Sequence, residues 1–147
     1  EVARRIEQYW RPYHDCLRHE LDALRARHGS AVLWDAHSIR SRVPSLFEGE
    51  LPALNCGTND GRSCGAELAR RLFDHAQAAP GFSAVLDGRF KGGYITRHYG
   101  DPARDIHAVQ LELAQRCYMS EESGEYLPES ADGIRALLRE LLEIVGA

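Results

Sequence analysis

The sequence predicts an α/β protein, and the alternation of two residue patterns supports that class. Short runs rich in apolar and β-branched residues predict strands at 31–37, 82–86, 94–99 and 107–113. Apolar residues that recur every three or four positions predict helices near 3–27, 63–78 and 134–142. Strands that alternate with helices of this length are typical of α/β folds, in which helices pack on a central sheet.

Length and composition limit the remaining possibilities. With 147 residues, the chain is predicted to form a single domain over 1–147, since a chain of this size buries roughly two-thirds of its unfolded surface. The formal charge is −4 with acids and bases interspersed, so we expect neither a nucleic-acid partner nor a basic patch for membranes. Four cysteines without a C-x-x-C pair predict reduced thiols and a cytoplasmic protein.

The first predicted helix has the residue pattern of a helix interior from its first residues onward. Glu1 is not an initiator residue, and the following residues are amphipathic from the outset, so we expect the chain to begin partway through a larger protein. Pro12 lies inside this pattern and either kinks the helix or starts a second one. Gly29 is the expected helix end, and the first strand follows it.

The first predicted strand ends in a cluster of polar side chains. Asp35 and His37 are two residues apart, so their side chains are expected to lie on the same face of the strand. One of them could ligate a metal or accept a proton while the other orients it. Equally, the strand could simply end in polar residues, with His37 hydrogen-bonded locally, and these residues alone leave both interpretations open.

The segment 38–61 has no clear periodicity and contains several Pro and Gly residues, which predicts a long functional loop. It carries Arg40, Arg42 and Asn55. Because a guanidinium binds a carboxylate through two parallel hydrogen bonds, arginines beside a histidine indicate a small anionic ligand. The alternative is a set of solvated surface arginines, which fits Arg42 better than Arg40.

Glu112 stands among apolar residues in the last predicted strand. Burial would raise the pKa of this carboxyl, as a general base near neutral pH requires. It could instead pair with an arginine such as Arg97 and hold the fold together. With His37 it would form much of a hydrolytic zinc site, but such a site needs three protein ligands, and nothing in the sequence brings His98 or His107 to His37.

Five segments occur in an order that is specific when they are taken together: 35–41 (DAHSIRS), 46–52 (LFEGELP), 55–58 (NCGT), 88–100 (GRFKGGYITRHYG) and 107–113 (HAVQLEL). They resemble the N-formylglutamate amidohydrolase (N-formylglutamate deformylase) family from about Tyr9 to the end of the chain. The resemblance implies a three-layer α/β/α fold of the zinc-peptidase (phosphorylase/hydrolase-like) type with a mixed sheet. It also implies zinc-dependent hydrolysis of N-formyl-L-glutamate to glutamate and formate in histidine degradation.

The resemblance assigns roles to individual residues. It implies that His37 ligates Zn²⁺ and that Glu112 is the general base. It further implies that a group of residues holds the substrate carboxylates or the oxyanion, with Arg97 as the catalytic member and Arg40, Asn55 and Arg89 as substrate-binding members.

Two departures from the family pattern affect these expectations. A Pro-His-x-Gly motif and an acidic residue, expected ahead of residue 1 as the other zinc ligands, are not in this sequence, and Asp87 stands where asparagine is expected. These 147 residues alone are therefore predicted to bind zinc weakly or not at all and to be inactive. Two alternatives stay open: a zinc hydrolase of other N-acyl amino acids, and a metal-free fragment that binds acidic metabolites or a partner protein.

Overall fold

The computed structural model describes residues 1–146 and confirms the α/β class. Its strands are β1 (Ala31–Ile39), β2 (Leu54–Gly57), β3 (Ala84–Leu86) and β4 (Ile106–Ala114). Its α-helices are α1 (Val2–Arg5), α2 (Arg11–His28), α3 (Ala66–Ala78), α4 (Tyr94–Tyr99) and α5 (Pro128–Gly146). A π-helical segment, Ile6–Trp10, joins α1 to α2, and short 3-10 turns lie at Pro102–Arg104 and Gln115–Cys117.

The strands form one mixed sheet in the order β1-β4-β2-β3. β1 runs parallel to β4 and β2 runs parallel to β3, whereas β2 and β4 are antiparallel. Residues of β4 contact two different cores. Val109, Leu111 and Leu113 belong to a core that includes residues of α3 and α5, while Ile106 packs with residues of α2 and α4. Helices therefore cover both faces of the sheet, as the layered fold class requires.

β2 was not predicted, because the sequence places residues 54–57 inside a long loop. All four residues of this strand are buried, since β2 lies between β4 and β3 with both faces covered. A four-residue strand buried on both faces shows no alternation of apolar and polar residues, and Asn55 interrupts its apolar character. The prediction of a continuous loop over 38–61 was wrong at this point.

The strand predicted at 94–99 was also wrong, because this segment forms the helix α4. Its buried residues are Thr96 and Tyr99, and Ile95 packs beside Tyr99 against the start of β1. Inward-facing positions three and four apart suit a helix, and in six residues this spacing is easily mistaken for alternation.

The helix ends differ from the sequence prediction in ways that the turn residues explain. α-Helical hydrogen bonding begins again at Arg11, so Pro12 lies in the first turn of a second helix, where its missing N–H is tolerated. Gly29 ends α2 with φ 87° as expected. α5 begins at Pro128 rather than near 134. No helix within residues 1–146 has the length and apolar composition needed to cross a membrane.

Glu121 joins the segment after β1 to the segment after β4. Its carboxylate accepts hydrogen bonds from the N–H and hydroxyl of Ser41, each at 2.7 Å, and from the N–H of Arg116 at 2.9 Å. Burial alone would raise the pKa of Glu121, but these hydrogen bonds and the Arg116 charge outweigh it, so the pKa is lowered.

We predict that Glu121→Gln lowers the free energy of unfolding by about 1–2 kcal/mol at pH 7, because a charged acceptor of three hydrogen bonds is lost. Since the folded-state pKa lies below the unfolded value, this stabilisation is complete above the unfolded pKa and disappears as the pH falls through the folded pKa. Urea unfolding at pH 7 and at pH 3 measures both effects. Glu122→Gln, at an exposed neighbour, is the control, and an equal loss at both pH values would contradict the prediction.

Candidate active site

Polar residues of β1 lie beside polar residues of β4 and β2 in two rows across the sheet. His37 pairs in register with Glu112, which pairs in turn with Asn55. The second row places Gln110 opposite Asp35 in the same way. Because residues opposite each other in a sheet project from the same face, these side chains share the face that carries α2 and α4 farther along. We call these five residues the site face.

Asp35 and His37 contact each other as the sequence predicted. His37 Nε2 lies 3.0 Å from Asp35 Oδ1. The His37 side chain is 49% exposed, whereas that of Asp35 is 17% exposed. Within residues 1–146, Nδ1 of His37 makes no hydrogen bond. A carboxylate that holds one ring nitrogen and leaves the other available is the arrangement typical of a metal-ligating histidine.

Glu112 is buried, with 7% of its surface exposed. This burial raises the pKa of its carboxyl. His37 acts in the opposite direction and Asp35 adds to the increase. In the described part of the chain Glu112 forms no salt bridge, and the Arg97 guanidinium instead donates to the carbonyl of Gly92 at 2.9 Å. The structure thus gives no support to an Arg97–Glu112 pair and leaves a buried carboxyl of raised pKa without an arginine partner.

The three arginines predicted to bind substrate or the oxyanion are exposed, and each donates a hydrogen bond to a backbone carbonyl. Arg40 donates to the carbonyl of Glu121, and Arg89 Nε donates to the carbonyl of Leu46 at 2.8 Å. Arg97 lies on α4. Their guanidinium groups keep further donors available for an anion, so the assignment of these arginines to substrate binding and catalysis stays a prediction.

Asn55 lies in the first row but is almost inaccessible, with 1% of its surface exposed. Its amide nitrogen donates to the carbonyls of Pro52 and Glu112 at 2.8 and 3.0 Å. Its Oδ1 is buried and has no partner within residues 1–146. Asn55 therefore fastens β2 to the Glu112 position, and only Oδ1 is left for a contact with substrate.

Neither His98 nor His107, the two histidines considered as further ligands, lies beside His37. His107 is five residues before Glu112 on β4, about 17 Å away along the strand, and its Nδ1 accepts the Gly65 N–H at 3.1 Å. The His98 ring stacks on Tyr94 with 4.8 Å between ring centroids. Residues 1–146 contain no group of three His, Cys, Asp or Glu side chains placed to hold a metal ion. The residues present fit one histidine ligand with its orienting carboxylate.

The sequence did not identify Gln110 as a site residue, and it singled out Asp87 without predicting the residue that Asp87 contacts. Gln110 is 6% exposed, and its Oε1 accepts the Gly93 N–H at 2.8 Å. Asp87 accepts the Thr58 N–H and hydroxyl at 2.7 and 2.5 Å, so an acid at position 87 serves as a double acceptor. A polar residue among apolar neighbours in β4 was a signal for Gln110, but its partner comes from a distant turn.

The mixed sheet with helices on both faces, together with a buried carboxyl beside a His–Asp pair, defines an α/β protein with a candidate site on one face of its sheet. The family model described as N-formylglutamate amidohydrolase matches residues 1–119. The chain belongs to this family, which confirms the resemblance seen in the sequence.

Two curated relatives are named N-formylglutamate deformylase. The one from Pseudomonas putida is 57% identical over 144 residues, and the one from Pseudomonas aeruginosa is 55% identical over 144 residues. In both cases the match covers 97% of this chain and 54% of the relative. The chain therefore spans about half the length of the curated relatives it matches.

A solved structure shows the same fold. The crystal structure of N-formylglutamate amidohydrolase from Ralstonia eutropha JMP134 is 25% identical and superposes with a TM-score of 0.80. The match covers 99% of this chain and 53% of that one.

Proposed function

We propose that the protein containing this chain hydrolyses the formyl amide of N-formyl-L-glutamate to L-glutamate and formate, with zinc as its cofactor. The observation that carries the proposal is the position of Glu112. This buried carboxyl of raised pKa lies between His37 and Asn55, in a chain 57% identical to a curated N-formylglutamate deformylase.

In this proposal Glu112 moves the protons. Amide hydrolysis requires a base that removes a proton from the attacking water and an acid that returns a proton to the departing nitrogen. A single carboxyl can do both in turn, first accepting the proton and then donating it. The raised pKa of Glu112 brings its two forms closer in free energy near neutral pH.

His37 is the proposed zinc ligand of this chain, and Asp35 orients it through the 3.0 Å contact. Zinc, when bound, polarises a carbonyl oxygen and lowers the pKa of water. Because a catalytic zinc site takes three protein ligands, we propose that the other two come from the part of the full-length protein that this chain does not span. His37 alone accounts for the contribution of residues 1–146.

The substrate is a small amino-acid derivative with two carboxylates, and the arginines provide the complementary charge. We propose that Arg97 stabilises the oxyanion and that Arg40 and Arg89 contact the carboxylates. Asn55, whose remaining Oδ1 can only accept a hydrogen bond, is proposed to contact an N–H of the substrate. Histidine degradation is the proposed route and the cytoplasm the proposed location. Free thiols at all four cysteines of the described chain support the location.

The test is hydrolysis by the purified full-length protein after zinc loading, followed as formate released from the formyl substrates and as acetate released from N-acetyl-L-glutamate. We expect N-formyl-L-glutamate to be hydrolysed faster than N-acetyl-L-glutamate and N-formyl-L-methionine, and a chelator to remove the activity until zinc is added back. Faster hydrolysis of another member of this panel would indicate a different N-acyl substrate. Glutamate binding without any hydrolysis would favour a protein that only binds acidic metabolites.

A further inference from the structure

The segment 87–93, here called the glycine turn, crosses the end of β2 in close contact. At its start, the Asp87 carboxylate accepts two hydrogen bonds from Thr58, just after β2. Farther along, the carbonyl of Lys91 accepts the Asn59 N–H at 2.7 Å. These contacts hold the first part of the glycine turn against the segment after β2. The last residues of the turn are held by a different contact.

The end of the glycine turn is held by Gln110. Gly93 is the residue before α4, and its N–H donates to Gln110 Oε1 at 2.8 Å. Gln110 is buried in the middle of β4, so the acceptor comes from a rigid strand rather than from a loop. One side chain of the site face therefore holds the residue that precedes α4.

The backbone packing leaves little room for the turn to move toward β2. A Cβ on Gly57 would lie 2.6 Å from the backbone of Lys91 and Gly92. Gly92 has φ 106°, and a Cβ there would lie 2.7 Å from Thr96. Displacement in the opposite direction, away from β4, is opposed by the Gln110 hydrogen bond.

The same hydrogen bond connects Arg97 to the strand that carries Glu112. Gln110 precedes Glu112 by two residues on the same face. Arg97 Nη1 donates back to the carbonyl of Gly92, so its guanidinium lies toward the N-terminal end of α4, beside the Gln110–Gly93 contact. A change at Gln110 would therefore alter the position of Arg97 relative to Glu112.

We propose that Gln110 is a positioning residue for the reaction: it holds the glycine turn so that Arg97 stays correctly placed relative to Glu112. The inference rests on the function proposed above, in which Arg97 stabilises the oxyanion. It assigns a role to a residue that contacts neither substrate nor metal in that mechanism.

The test uses the full-length protein with Gln110→Met, which keeps the shape but removes the carbonyl acceptor, and Gln110→Glu, which keeps an acceptor. We expect Gln110→Met to lower kcat for N-formyl-L-glutamate by about 10- to 100-fold with a smaller change in KM, because a misplaced oxyanion contact affects the transition state most. Gln110→Glu should recover most of kcat, because its carboxylate can still accept the Gly93 N–H. Gln110→Asn, which is too short to keep the contact, replaces Gln110→Met if that variant does not fold.

A double-mutant cycle with Arg97→Ala separates positioning from a general structural role. If Gln110 acts through Arg97, Gln110→Met should lower kcat by less than about threefold when Arg97 is already replaced by alanine. The inference would be overturned if Gln110→Met lowered kcat equally in the wild type and in Arg97→Ala, or if Gln110→Met alone kept full activity. The proposed function would stand in either case. An inactive wild-type protein would overturn the proposed function and the inference with it.

Discussion

Replacing Glu112 by glutamine in the full-length protein is expected to lower kcat for N-formyl-L-glutamate by about 10²- to 10⁴-fold, the usual range for loss of a general acid–base group. Glutamine has nearly the same shape but can neither accept nor return the proton. The formate-release assay measures this loss. Activity within tenfold of the wild type would show that another group moves the protons.

The same variant should keep or gain stability at neutral and alkaline pH. Burial raises the folded-state pKa of Glu112 above its unfolded value, so its favourable contribution is complete below the unfolded pKa and is lost as the pH rises through the folded pKa. Glutamine stays neutral throughout, and the free energy of unfolding of Glu112→Gln relative to the wild type should increase from pH 4 to pH 8. Urea unfolding at both pH values measures it, and a decrease over this range would contradict the burial argument.

Replacing His37 by alanine is expected to remove both zinc and activity from the full-length protein, because one of the proposed zinc ligands is lost. Asp35→Asn should have a smaller effect, about 10- to 100-fold on zinc affinity or activity, because it only weakens the orientation of the ring. Elemental analysis of the zinc content and kcat/KM provide the two measurements.

The control for His37→Ala is His75→Ala, which removes an exposed histidine of α3 that contacts Glu140 at 2.7 Å on α5. This control should keep its zinc and its activity. Because the His37 side chain is half exposed, His37→Ala should change the free energy of unfolding of the metal-free protein by less than about 0.5 kcal/mol. Full zinc content in His37→Ala would exclude His37 as a ligand.

The long elements were predictable because their patterns are local. β1 and β4 are strands of nine residues, and their apolar runs identified them within two residues. The i, i+2 spacing predicted the contact between Asp35 and His37, and the apolar neighbours of Glu112 predicted its burial. The shorter β2 and α4 were not recovered, because four to six residues do not distinguish one period from another.

By itself the sequence determined the α/β class, the family and the residue types that carry the proposed chemistry. Only the tertiary structure decided which of them share a face: His37, Glu112 and Asn55 lie in one row, whereas His98 and His107 lie elsewhere. It also brought Gln110 to Gly93, 17 residues away along the chain. Strand order and register bring these residues together, and both arise from the burial of the sheet between two layers of helices, which no local pattern encodes.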